Sequence, residues 1–228
     1  MNTYQRTTLL STLSGTVLAL CVNIAAADVI SFTLDQGNTA ISGFTGPYVQ
    51  VDVNRTSTTT ATISFTSLTN SGDLYRMGDG GTAGVNINAT SFTLGTISGT
   101  SADLVNFTPG TYSDGGAGNL DGAGQFNLTV DTFDGYTHSS DFVSFLVTDV
   151  SGTWASASDV LAANGNGFVA ASHIFVELLS DPTAGALATG FAAGSGGGGG
   201  GNFTPEPGTL VLLGAALMGG GLLRRRRS

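Results

Sequence analysis

Ala61-Thr62-Ile63-Ser64-Phe65 alternates apolar and polar residues one by one, and Ile30-Ser31-Phe32-Thr33-Leu34 and Phe126-Asn127-Leu128-Thr129-Val130 repeat the pattern. A period of two puts every second side chain on the same face, as in a β-strand with one face buried and the other in water. Phe142 to Val147 and Ile174 to Leu178 are less regular and predict strands covered on both faces. Val85 to Leu94 predicts one further strand, with Asn86, Asn88 and Thr90 on its polar side. β-Branched and aromatic residues concentrate in these runs.

Working outward, turn signals recur at Asn70-Ser71-Gly72, Asp79-Gly80-Gly81, Asp114-Gly115-Gly116 and Asp134-Gly135. Many short strands so punctuated predict an all-β fold, an antiparallel β-sandwich or jelly roll. One short helix is expected, with Ser158 as its cap, Asp159 to Ala163 as its body and Asn164-Gly165 as its terminator. No convincing internal repeat is present. The β domain is read as residues 28–193, followed by a glycine-rich linker over 194–203.

The two ends are not domain material. Residues 1–27 have the layout of a signal peptide: Arg6, an apolar stretch from Leu9 to Ile24, then Ala25-Ala26-Ala27. Ala25 and Ala27 supply the small residues at −3 and −1, so the expected cut falls before Asp28, after passage through the Sec translocon to signal peptidase. Cys21 would suit a lipoprotein, but Leu20 stands where the lipoprotein peptidase wants a small residue.

At the other end, residues 208–223 read GTLVLLGAALMGGGLL and carry no charge. As a helix at about 1.5 Å per residue they span roughly 24 Å, short of the bilayer core of about 30 Å. Five glycines weaken that helix further. Arg224, Arg225, Arg226 and Arg227 hold this end on the cytoplasmic side, so the chain before Gly208 is expected outside. Pro205 and Pro207 flank Glu206 and keep the segment extended, in a form that a protease or transpeptidase can bind as a strand.

The ordered combination of Pro205-Glu206-Pro207, the short span and the arginine cluster, over 204–228, resembles the PEP-CTERM sorting signal of Gram-negative bacteria. The resemblance implies transient insertion in the inner membrane, processing by an exosortase and delivery to the cell surface or beyond. It also implies association with exopolysaccharide or biofilm, because the family accompanies exopolysaccharide production. The tail is similar as well to segments grouped as ice-binding-protein C-terminal domains. Asp141 to Val176 resembles segments of other PEP-CTERM cargo proteins, which implies a shared fold and assigns no reaction.

Removing both end signals changes the electrostatics. The whole chain has 7 basic and 16 acidic residues and a net charge of −9. Between residues 28 and 204 only Arg55 and Arg76 stand against fifteen acids, which leaves −13, and there is no lysine. Such a surface repels nucleic acid and anionic membranes, so nucleic-acid binding is excluded. The one cysteine, Cys21, leaves with the signal, which excludes disulfides and thiol catalysis in the exported part.

The catalytic inventory is thin. His138 and His173 are the only histidines, and no Gly-x-Ser-x-Gly elbow occurs. No catalytic residue is assigned. His173 and Glu177 could share a face as a metal pair, and His138 could join Asp134 and Asp141 in a loop site. Calcium is the better fit to the composition, because fourteen of the fifteen acids are aspartates, many of them in glycine-rich loops. Asp114, Asn119 and Asp121 form one group of candidate ligands, and Asp131 with Asp134 a second. The stretch 115–121 (GGAGNLD) approaches the Gly-Gly-x-Gly-x-Asp calcium motif, with its aspartate one place late and no repeat.

The expected function is that of a noncatalytic surface or matrix protein, with Tyr75, Tyr112, Tyr136 and Trp154 as candidate polysaccharide contacts. The alternatives are a carbohydrate-active enzyme with two facing acids, and an ice-binding protein using the alternating Thr58, Thr60 and Thr62.

Overall fold

A computed structural model describes residues 28–196. The signal peptide with Ala25 and Ala27, linker residues 197–203, the motif Pro205-Glu206-Pro207, the apolar segment 208–223 and Arg224 to Arg227 lie outside the described residues.

Thirteen strands follow one another in the order β1 (Asp28–Leu34), β2 (Gln36–Gly37), β3 (Val49–Arg55), β4 (Thr60–Ser67), β5 (Thr69–Asn70), β6 (Asp73–Met77) and β7 (Ala83–Val85). The second half comprises β8 (Phe92–Thr100), β9 (Ser113–Leu120), β10 (Gly124–Asp131), β11 (Phe142–Asp149), β12 (Ala170–Leu178) and β13 (Ala186–Gly194). They form a five-stranded sheet, β1-β3-β4-β11-β8, and an eight-stranded sheet along β2-β13-β12-β7-β10-β9, to which β6 and β5 are added beside β12. Every strand pair is antiparallel.

Alternation decides which face is buried. In β3 and β4, Val49, Val51, Val53, Ala61, Ile63 and Phe65 are fully buried, while the residues between them are half-buried. They share one apolar cluster with Met77, Val85, Val130, Ile174 and Val176 of the larger sheet. The two sheets therefore bury their inner faces in a common core, consistent with the expected β-sandwich. β12 runs through the middle of its sheet and is buried at seven of nine positions, as its continuous apolar run requires.

Four expectations are corrected. β11 alternates buried and less buried positions, so it is covered on one face, because it lies in the sheet whose outer face is open. The single strand expected over 85–94 is two: β7 ends at Val85 in one sheet and β8 begins at Phe92 in the other. The chain changes sheets between them, and the side chain of Asn127 stands in for a strand partner. Its amide donates to the Ile87 carbonyl at 2.8 Å and accepts from the Ile87 N–H at 2.7 Å.

The helix expected over 159–163 is a three-residue 3-10 turn at Ala157–Asp159, closed by reciprocal bonds between Ser156 and Asp159. Five residues are too few to sustain an isolated helix. Beyond the turn the Val160 carbonyl accepts from Asn88 N and Ala162 N donates to the Asn86 carbonyl, so the chain runs extended beside 86–88.

Asp114-Gly115-Gly116 lies inside β9 and makes a bulge where a turn between strands was expected. The Asp114 carboxylate accepts from Gly116 N at 2.8 Å, and Gly116 has φ +65°. Thr129 faces Gly116 while Val130 faces Asp114, which leaves Gly115 as the extra residue. A Cβ at Gly115 would stand 2.1 Å from the Asp131 carboxylate, so the bulge requires glycine.

Candidate functional site

The five calcium candidates do not converge. Asp114 and Asp121 lie seven residues apart along an extended strand, roughly 23 Å at about 3.3 Å per residue. Asp121 sits at the β9–β10 turn and accepts from Asn38 Nδ2 at 3.0 Å, while the exposed Asn119 pairs with Gln125 across the hairpin. Asp131 accepts from Gly81 N at 2.7 Å, and Asp134 is exposed. Among the described residues no three His, Cys, Asp or Glu side chains group closely enough to hold a metal ion.

His173 and Glu177 share the outward face of β12, but Phe175 stands between them and each is taken by another partner. The His173 ring stacks on Phe191 at 4.6 Å and hydrogen-bonds the Gly78 carbonyl at 2.9 Å and Thr189 Oγ1 at 2.7 Å. Burial lowers its pKa, opposed by the Gly78 carbonyl and Asp79. Glu177 instead accepts from Arg76 Nε, with both side chains 2% exposed. The Phe107 ring covers the guanidinium 3.5 Å away, and Ser101 Oγ accepts from Arg76 at 2.8 Å. Tyr136 packs edge-on between Phe107 and Phe175. Its hydroxyl pKa is raised by burial and by the Glu177 charge. A buried ion pair sealed by aromatic rings has no room for a substrate.

His138 bonds the Asp134 carbonyl, and Asp141 accepts from Ala102 N, so the second histidine and its acids are parts of loops. Nor do the four aromatic candidates form a platform for sugars. Tyr75 and Trp154 are buried in the core, and the half-buried Tyr112 and Tyr136 bond Ser140 and the Pro182 carbonyl.

The larger cleft is formed where the chain crosses between sheets. It has a volume of about 660 Å³ and is lined by the strip Asn86 to Thr90, by Asp149 and by Ser151 to Ala155. Trp154 forms its floor, with Nε1 donating to the Asn88 carbonyl at 2.8 Å. Asp149 accepts from the backbone N–H of Ser151 and Gly152, both at 2.8 Å, and from Ser151 Oγ at 3.0 Å. The Ser151 N–H, aided by these other donors, holds its carboxyl below the usual range. The second acid of the cleft, Asp159, accepts from Ser156 N and Ser156 Oγ, both at 2.9 Å. Both carboxylates are thus engaged in shaping their own turns. The Asn86 and Asn88 amide nitrogens donate to the Ala162 and Asp159 carbonyls, so the cleft's side-chain groups without partners among the described residues are the Asn86 and Asn88 Oδ1 atoms and the Thr90 and Thr153 hydroxyls. Sequence reading did not find it, because its walls come from segments about 60 residues apart.

Residues 203–227 match the family model described as the PEP-CTERM protein-sorting motif. The chain therefore carries the sorting tail of exported, exosortase-processed proteins, which are directed at the membrane to the cell surface. No curated protein and no solved structure matches the chain.

Proposed function

We propose that the β domain is a noncatalytic surface protein that associates with neutral polysaccharide after an exosortase has released it from its membrane tail. The observation that carries this reading is the chemistry of the larger cleft. Its lining leaves the Asn86 and Asn88 Oδ1 atoms and the Thr90 and Thr153 hydroxyls for a sugar beside the apolar Ile87, Ala89 and Trp154, and its two acids already accept hydrogen bonds from their own turns. Glycoside hydrolysis needs one acid ready to give a proton and another facing it across the bond, and a carboxylate locked into a turn does neither well. The net charge of −13, from fifteen acids against two arginines over residues 28–204, disfavours anionic polymers and leaves neutral ones. In this reading the signal peptide ends before Asp28, and the glycine linker serves as a tether during sorting.

Comparing native cells with and without the exosortase, by fractionation and mass spectrometry of the mature C-terminus, tests the release. A mature surface form that keeps residues beyond Pro207 would overturn it. The noncatalytic reading fails if the purified chain releases reducing ends from the cells' matrix polysaccharide and Asp149→Asn or Asp159→Asn abolishes the release.

A further inference from the structure

The open face of the five-stranded sheet carries an ordered array of polar groups, distinct from the cleft. Strand register puts Ser31 opposite Asp52, Asp52 opposite Ser64, Ser64 opposite Ser144 and Ser144 opposite Ser98, so that one row crosses all five strands. Two residues along the strands, Asn54 faces Thr62 on one side of this row and Gln50 faces Thr66 on the other. With strands about 4.8 Å apart and two residues advancing about 6.8 Å, the row is roughly 19 Å long and its flanking rows run parallel to it. Ser31 and Ser98 are exposed and the other residues of these rows are half-buried, with Asn54 Oδ1 turned away from solvent.

Hydrogen bonds on this face converge on Asp52, which accepts from Ser31 Oγ at 2.5 Å and from Gln50 Nε2 at 2.9 and 3.2 Å. The hydroxyls of Thr62, Ser64, Thr66, Ser98 and Ser144 have no partner among the described residues. Charge is the second observation. Of the fifteen acids between residues 28 and 204, Asp52 alone is on the outward side of these five strands, and neither arginine is there. A nearly neutral face on a molecule of charge −13 selects an uncharged occupant. Unused hydroxyls at regular intervals select one that can donate and accept repeatedly.

Ice meets both conditions less well than sugar does. The Asp52 carboxylate, which gathers the Ser31 hydroxyl and the Gln50 amide, orders water around itself, whereas that carboxylate and the unpartnered serine and threonine hydroxyls beside it together accept from and donate to sugar hydroxyls. We propose that this sheet face is a docking surface for an extended neutral polysaccharide lying across the strands along the Ser31-to-Ser98 row. The inference rests on the polysaccharide-binding reading above and adds a second contact surface to the cleft.

The test uses the mature protein recovered from the cell surface and the cells' own matrix polysaccharide, separated into neutral and anionic fractions. Ser64→Arg and Ser144→Arg obstruct the row, Thr90→Arg obstructs the cleft, and Ala117→Arg on β9 is the control; melting curves confirm that each folds. Both face variants are expected to weaken binding to the neutral fraction at least tenfold, with Ala117→Arg binding as the wild type does. If Thr90→Arg alone abolishes binding, the polysaccharide reading stands and the sheet surface is refuted. Binding to the anionic fraction only would also refute the sheet surface, and binding to neither fraction would overturn both. Thermal hysteresis lost in Ser64→Arg would assign the face to ice and overturn the proposal.

Discussion

Arg76 and Glu177 stand 101 residues apart in the chain, each as the one charge inside an otherwise apolar stretch of its strand. An isolated buried charge requires a partner, which is the signal by which the sequence could have paired them. Removing one member leaves the other unpaired in the interior. Arg76→Leu should cost about 3–5 kcal/mol and lower Tm by roughly 10 °C. The double substitution with Glu177→Leu should recover most of that loss in thermal melts, because no charge is then stranded.

His173 makes the second prediction at this scale. Burial holds its imidazole neutral to lower pH than in the unfolded chain. Below about pH 6.5 the unfolded state therefore binds the extra proton first. Stability is lost as pH falls from there towards the lowered native pKa. The drop in Tm between pH 7.5 and pH 5 should be smaller in His173→Gln than in the wild type, and equal drops would remove His173 as the cause.

Among elements, the crossing between β7 and β8 shows why the strand expected over 85–94 divides. Periodicity puts Val85, Ile87 and Ala89 on one alternation and Phe92 and Leu94 on the opposite one, a change of phase that marks a break but not which sheet each part joins. The Asn127 amide, on β10, decides it by satisfying both backbone groups of Ile87 where the β7–β10 ladder has ended at Val85. Asn127→Leu leaves that N–H and carbonyl without partners and should cost about 2 kcal/mol, or roughly 5 °C in Tm. Asp114-Gly115-Gly116 makes a related point. Its turn chemistry is real, yet the hydrogen bond from Gly116 N to Asp114 serves a bulge within β9. Local signals of this kind specify a backbone conformation; the neighbouring strand determines whether it reverses the chain.

For the whole molecule, the charge of −13 over residues 28–204 is the dominant long-range term. Like charges repel more in the compact state than in the expanded one, and salt screens them over a Debye length of about 10 Å at 0.1 M. Raising NaCl from about 20 mM to about 200 mM should therefore raise Tm, by roughly 3 °C on the usual scale of such effects. A Tm that falls with salt would show that attractive pairs outweigh the repulsion. The same excess of acid makes the nearly neutral sheet face stand out as a place where a partner can approach.

The sequence by itself determined the all-β class, the buried alternation of β1 and β4, the acidity and the sorting tail. Each of these is local: a period of two, a count of charges, or a motif read within about 25 residues. The tertiary structure decided what is shared between distant segments: the Arg76–Glu177 pair, the cleft between 86–90 and 149–155, and the dispersal of the calcium candidates. The threonine row shows the division most clearly. Thr60 and Thr62 do alternate on β4, while Thr58 falls outside the strand in the preceding turn. Sequence shows one strand's edge of that row at a time. Only strand register, set by burial of the opposite face, aligns Ser31, Asp52, Ser64, Ser144 and Ser98 into a single line.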